Sequence, residues 1–248
     1  MTAQAPDWLI YRNERHRLFS NPLEQYLRSV PNRPPFRAWS TANWRGYIAT
    51  WEFRDEVLYL TDLRVAPENE TNPGIAFVFP DAKGPVKADW VSQRLRVPLG
   101  DELRYVHMGY ESQYARELYL SVWNGRLCAV EEYERATNRT TVRELTPCIE
   151  ELYGVEEAAF LRSICATPDD LAPRLIYADW LDERGDPRGA VVRTEEALRV
   201  SGSERLDPLF ESDTFQSTIH AGIWTRIMGY RALEVPPDER RRTDTQGV

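Results

Sequence analysis

His107 is the residue of this chain with the most chemistry gathered around it in sequence. Asp89, Trp90, Tyr110, Glu111 and Tyr114 all lie in the surrounding stretch. A histidine held by Asp89 or Glu111 is a candidate general base for a hydrolase, because a carboxylate partner fixes the tautomer and stabilises the imidazolium. The competing reading is structural. Strand alternation puts His107 on one face with Leu103 and Tyr105, where a histidine serves packing. His16 and His220 complete the histidine set and have no comparable company. No HExxH helix, Walker loop, GxSxG elbow, CxxC pair or dinucleotide fingerprint occurs.

Other chemistry-bearing residues divide in the same way. Asp179, Asp182, Glu183 and Asp186 crowd one short stretch, but without the alternating rhythm of a calcium loop, so no metal site is expected. Cys128, Cys148 and Cys165 are an odd count without paired spacing, which reads as three reduced thiols in a cytosolic protein. Aromatic residues are dense in the first part of the chain. Trp44, Trp51, Trp90 and Tyr110 are candidate stackers for a small molecule or glycan, although alternation assigns about half of such aromatics to a core. No cofactor is expected.

The elements that must position these residues fall into two parts. Asn21 and Pro22 are expected to cap a short helix carrying Leu23, Tyr26, Leu27 and Val30 on one face, and PNRPP ends it. Alternation then predicts strands: Tyr47, Ala49, Trp51 and Phe53 share one side, and Arg54-Asp55-Glu56 turns that strand into 57–63. Further strands are predicted at 75–79, 86–91, 94–99 and 103–108. Asn124-Gly125 joins ELYLSVW to RLCAVEEY as a type I′ hairpin, since both residues tolerate positive φ. About eight strands at short spacing predict an antiparallel sandwich, rolled sheet or barrel.

Helical periodicity takes over after residue 148. Phe160, Leu161, Ile164 and Cys165 place one apolar stripe on a helix from Glu156 to about Ala166. Thr167-Pro168 stops it. Asp170 is the expected N-cap of a second helix, with Pro173 in its first turn. Leu171, Leu175, Ala178 and Leu181 line one side of that helix, while Ile176 and Trp180 project from nearly the opposite side. Gly185 supplies a left-handed C-cap, and Asp186-Pro187 starts a third helix to about Val200. Phe215, Ile219, Ile223, Trp224 and Ile227 predict a last helix from Phe215 to Tyr230, followed by a polar tail.

The run DxxAPRLxYADWLxERGDPRG, preceded by a helix bearing FLRxI, resembles the bacterial repeat-companion domain over residues 156 to about 195. Asp179-Trp180-Leu181, Glu183-Arg184-Gly185-Asp186 and Pro187-Arg188-Gly189 carry the resemblance, and Thr194 departs from it where an amide residue is usual. The resemblance implies a small helical module that accompanies other domains or repeats. It implies no reaction, and no catalytic residue is carried over. WRGYIATWEF, VKADW and YVHMGYES are also similar to a small bacterial domain of unknown function.

A formal charge of −8 over 248 residues argues against general nucleic-acid binding. No apolar run approaches the ~20 residues of a membrane span, and the first residues lack the basic and apolar regions of a signal peptide. The expected protein is therefore α+β and cytoplasmic. Its parts are a β-rich domain at 1–148, a helical unit at 149–234 and a disordered tail at 235–248. Its expected function is non-catalytic interaction with a protein partner through Trp180 and Ile176. The alternatives are a ligand-binding β domain and a hydrolase centred on His107.

Overall fold

Tight two-residue turns organise the β-rich part. The computed structural model describes residues 2–66, 70–201 and 218–229. Strand β1 (Asp7–Tyr11) folds onto β2 (Glu14–Leu18) through Arg12 and Asn13, both at positive φ. This hairpin lies in a segment whose sequence reads as irregular, because Arg-Asn is a weaker turn signal than Asn-Gly. Helix α1 (Leu23–Ser29) buries Leu23 and Leu27, but Asn21 does not cap it through its side chain. Strands β3 (Ile48–Arg54) and β4 (Val57–Arg64) turn at Asp55-Glu56, and Tyr47, Ala49 and Trp51 are fully buried, as alternation predicts.

The strand expected at 75–79 does not form, and those expected at 86–91 and 103–108 keep only their first two residues as strand. Residues Gly74–Phe77 form a short 3-10 helix, and only Val86–Lys87 of the 86–91 segment is strand, β5. Ile75, Phe77 and Phe79 pack partly against the core from this loop. A continuous apolar run has no period of its own, so its conformation follows what it must cover. Strand β6 (Gln93–Arg104) contains the predicted 94–99 strand but only the first two residues of the predicted 103–108 strand, with register shifts between Leu99 and Arg104. Tyr105 to Met108 is not strand, so His107 does not sit on a strand face with Leu103 and Tyr105. The hairpin of β7 (Gln113–Trp123) and β8 (Arg126–Glu134) turns at Asn124 (φ 46°) and Gly125 (φ 74°) as expected. Strand β9 (Arg139–Leu145), not anticipated from the sequence, extends the sheet beyond β8.

Among the described residues, nine strands form one sheet in the order β2-β1-β3-β4-β8-β7-β6, with β5 on β4 and β9 on β8. All pairings are antiparallel except β1 with β3. β4 and β8 join at one residue pair, Val57 with Arg126, so the sheet narrows there. Its outer strands approach each other where Phe19 N–H donates to Arg96 O at 2.8 Å. The sheet is open but rolled, and Leu9, Trp51, Leu60, Leu95, Val97 and Leu120 fill the inside.

The helices are α2 (Cys148–Tyr153), α3 (Val155–Ala166), α4 (Ala172–Asp182), α5 (Arg188–Ser201) and α6 (Thr218–Ile227). Together with β8 they enclose a second core. Ile149, Leu161, Tyr177, Val192 and Trp224 pack with Cys128 and Ala129 of β8, on the sheet face opposite the first core. Each such large apolar side chain contributes about 2 kcal/mol by leaving water. Cys128 and Cys148 are joined by a disulfide, which corrects the expectation of three free thiols; Cys165 alone is free. Spacing along the chain did not pair these two, because the contact depends on α2 seating against β8. No described helix is long and apolar enough to cross a membrane. Phe215 and the 235–248 tail lie outside the described residues.

Candidate functional site

Glu157, Tyr177, Asp186, Arg188 and Trp224 build a buried polar joint. Asp186 accepts the Arg188 backbone N–H at 2.9 Å, the N-cap contact expected before α5. The Arg188 guanidinium donates to both oxygens of Asp186 and to both of Glu157 on α3, at 2.6 and 3.2 Å for the latter pair. Tyr177 of α4 donates its hydroxyl to Glu157 Oε1 at 2.5 Å and accepts the Trp224 indole N–H of α6 at 2.9 Å. One joint thus ties α3, α4, α5 and α6 together. Burial pushes the Arg188 pKa down, but its hydrogen bonds to Asp186 and Glu157 and nearby negative charge outweigh this and raise it. A paired guanidinium of this kind holds geometry rather than reacting.

The opposite side of α4 faces outward. Leu171, not Asp170, is the N-cap of α4, although Asp170 Oδ1 accepts the Ala172 N–H at 3.0 Å; the helix gives way at Glu183, and Gly185 (φ 68°) lies two residues beyond. Arg174, Tyr177, Ala178 and Leu181 are buried, while Leu175 of the predicted inner stripe is only half-buried. Ile176 is 57% exposed. Trp180 is half-buried: its ring sits 5.3 Å from Phe160, and the Arg184 guanidinium lies 3.9 Å over its face. Arg184 also pairs with Glu156 at 2.9 Å, and Arg193 pairs with Asp179 and Asp182. The result is a small aromatic and aliphatic centre with a charged rim, four exposed carboxylates (Glu156, Asp179, Asp182, Glu183) against two guanidiniums (Arg184, Arg193).

The four candidate stackers of the β part do not form one site. Trp51 is fully buried and donates its indole N–H to Asp7 at 3.1 Å. Asp7, also fully buried, accepts from Arg45 and from the Ala49 N–H, each at 3.0 Å. Burial pushes its carboxyl above the ordinary carboxylate range, and Arg45 with the other donors only partly offsets this. Arg45 also reaches Asn21, whose side chain accepts the Tyr110 hydroxyl at 3.0 Å. Tyr110 is further occupied by stacking on Phe19. Trp51 and Tyr110 therefore belong to a structural network at one end of the roll, which the sequence signalled only through their aromatic types. Trp44 is 53% exposed. Trp90 packs against Phe79 and Tyr26 and donates to Pro22 O.

A second charged network lies on the outer sheet face and was not legible as a site. Glu117 accepts from Arg96, Arg135 and Tyr119. Burial would raise its pKa, but the hydrogen bonds from Arg96 and Tyr119 and the charges of Arg96 and Arg135 leave it lowered. Glu131, with no exposed surface, accepts from Arg94 and Ser121 and pairs with Arg226 of α6 at 2.6 Å. The sequence clue was the alternation of Arg94 and Arg96 with apolar Leu95 and Val97, which puts charge on the face that α6 partly covers.

His107 is exposed and pairs through Nδ1 with the Tyr105 hydroxyl at 2.8 Å. Asp89, also exposed, pairs with Lys87 at 2.7 Å, and Glu111 is exposed. The structure shows no contact that brings either carboxylate to the imidazole among the described residues. No cluster of three His, Cys, Asp or Glu is placed to hold a metal among those residues. Comparison with protein-family models, curated proteins and solved structures finds no match for this chain.

Proposed function

We propose that this chain is a non-catalytic interaction protein whose docking surface is the outer face of α3 and α4. The observation that carries the reading is Ile176, more than half exposed beside a Trp180 ring already immobilised by Phe160 and Arg184. An ordered tryptophan next to an exposed aliphatic loses little entropy on binding, and Trp and Arg are enriched where interfaces concentrate their energy. The excess of carboxylates on the rim selects a protein segment with an apolar anchor and basic flanks. The resemblance to the repeat-companion domain supports the same reading, since that module accompanies other domains.

The test is affinity capture with the tagged full-length chain and its Ile176→Asp variant. A partner held by the native chain and weakened about 30-fold or more by the variant, with an unchanged melting temperature, supports the proposal. Partners retained equally by both forms would refute it. A cytoplasmic setting is part of the proposal and is tested separately. A reducing cytoplasm keeps Cys128 and Cys148 as thiols, so a disulfide trapped by alkylation of intact cells would place the chain in an oxidising compartment instead.

A further inference from the structure

Between α1 and the loop that follows the 3-10 helix lies a hollow of about 480 Å³ lined by Tyr26, Val78, Phe79 and residues 80–86. The hollow is shallow and open to solvent, so a ligand there would be held on one side only. We infer that this hollow binds a neutral pyranose sugar. The inference uses none of the residues of the α3–α4 face, so either proposal can fail without the other.

Aromatic rings make up one wall. Tyr26 and Phe79 approach at 4.7 Å between centroids, and Trp90 supports both, 5.0 Å from Tyr26 and 5.5 Å from Phe79. The rings are too close together to enclose a ligand between them; Tyr26 and Phe79 line the hollow and Trp90 packs behind them. Aromatic faces carry negative charge density and attract the polarised C–H groups of a pyranose. Tyr26 and Phe79 are half-buried, which leaves part of each ring accessible.

That wall is pre-organised from three directions. The Gln25 side chain clamps the Ser92 backbone twice, donating to its O at 3.1 Å and accepting its N–H at 3.0 Å, which locks α1 to the segment after Trp90. Trp90 is oriented by its bond to Pro22 O. On the loop side, Phe79 N–H donates to Ile75 O and Ala82 N–H to Phe79 O, while Pro80 and Pro85 restrict the backbone. A site whose walls are held before binding loses less freedom when a ligand enters.

The rim decides the ligand's charge. Asp81 and Lys83, both exposed, stand on the same short lining segment. Lys83 disfavours a cation that the aromatic faces and Asp81 would otherwise attract, and Asp81 disfavours an anion that Lys83 would attract. What both accommodate is a neutral molecule with groups that donate and accept. Sugar hydroxyls do both: they donate to Asp81 and accept from Lys83.

The experiment is a titration of the ¹⁵N-labelled full chain with methyl glycosides of glucose, galactose and mannose and with their disaccharides, followed by backbone and indole NMR shifts. Saturable shifts confined to 78–86, Tyr26 and the Trp90 indole support the inference. So does a roughly tenfold weakening in Asp81→Ala, the loss expected for a hydrogen bond to a charged group. Tyr26→Phe keeps the ring and should bind as the native chain does. No saturable shift with any sugar, shifts mapping elsewhere, or binding unaffected by Asp81→Ala would overturn it. Occupation of the hollow by inorganic phosphate, a quaternary ammonium ion or a proline-rich peptide, with sugars inert, would overturn it as well.

Discussion

Tyr177→Phe removes a single oxygen from the joint that ties four helices together. That oxygen donates to Glu157 at 2.5 Å and accepts from the Trp224 indole at 2.9 Å. Tyr177 and Trp224 have no exposed surface and Glu157 has 7%, so water does not easily replace the lost contacts. A buried donor deprived of its acceptor costs about 1–3 kcal/mol, while Arg188 still donates twice to Glu157 and limits the second loss. The expected destabilisation is therefore about 2 kcal/mol. In urea, with a slope of about 2 kcal/mol/M, that moves the midpoint down by about 1 M and leaves the slope unchanged. Trp224→Phe in both backgrounds completes a double-mutant cycle, and a coupling of about 1 kcal/mol is expected for groups in direct contact. A midpoint loss worth less than about 0.5 kcal/mol, the scale of an ordinary surface change, would refute the joint as a source of stability.

Gly125→Ala should destabilise by about 2 kcal/mol or more, read as a lower melting temperature. The residue sits at φ 74°, and a Cβ would meet the Ala88 carbonyl oxygen at 2.7 Å. His220 carries a pH dependence: burial, reinforced by the charge of Arg188, pushes its pKa from 6.5 down to about 4. The unfolded chain therefore binds a proton there that the native state refuses, so stability is present above pH 6.5 and is lost as pH falls toward 4. Urea midpoints measured across that window should rise with pH, and His220→Phe should flatten the rise. In protein purified without reductant, thiol titration in denaturant should find one reactive cysteine before reduction and three after it, given the Cys128–Cys148 bond. Reduction should cost about 3 kcal/mol, from a sequence separation of 20 residues in the closed loop. In the folded protein Cys165 should react slowly, because burial pushes its thiol up to about 12.

Where a structure depends on neighbours in sequence, the residues of this chain were sufficient to determine it. Asn124-Gly125 specifies its hairpin because both positions need positive φ, and Asp170, Gly185 and Asp186 stand beside the helix ends because such end contacts join residues a few positions apart. The stripe on α3 and the outward side of α4 follow from a 3.6-residue period for the same reason.

Tertiary structure decided what depends on partners distant in the chain. The apolar run at 75–79 has no period, and it became a covering loop because the core beside it needed a lid rather than another strand. Parallel pairing of β1 with β3 and the closure of Cys128 with Cys148 join residues whose proximity no local signal encodes. The same holds for sites. Alternation foresaw that Trp51 would be core, but its bond to Asp7, and through Arg45 and Asn21 to Tyr110, exists only once the sheet has rolled. Tyr26, Phe79 and Trp90 come from three separate segments, and their shared wall is a product of packing. Local backbone preferences act over a few residues and can be read in order along the chain; burial and charge pairing act through space, and the folded chain sets those distances.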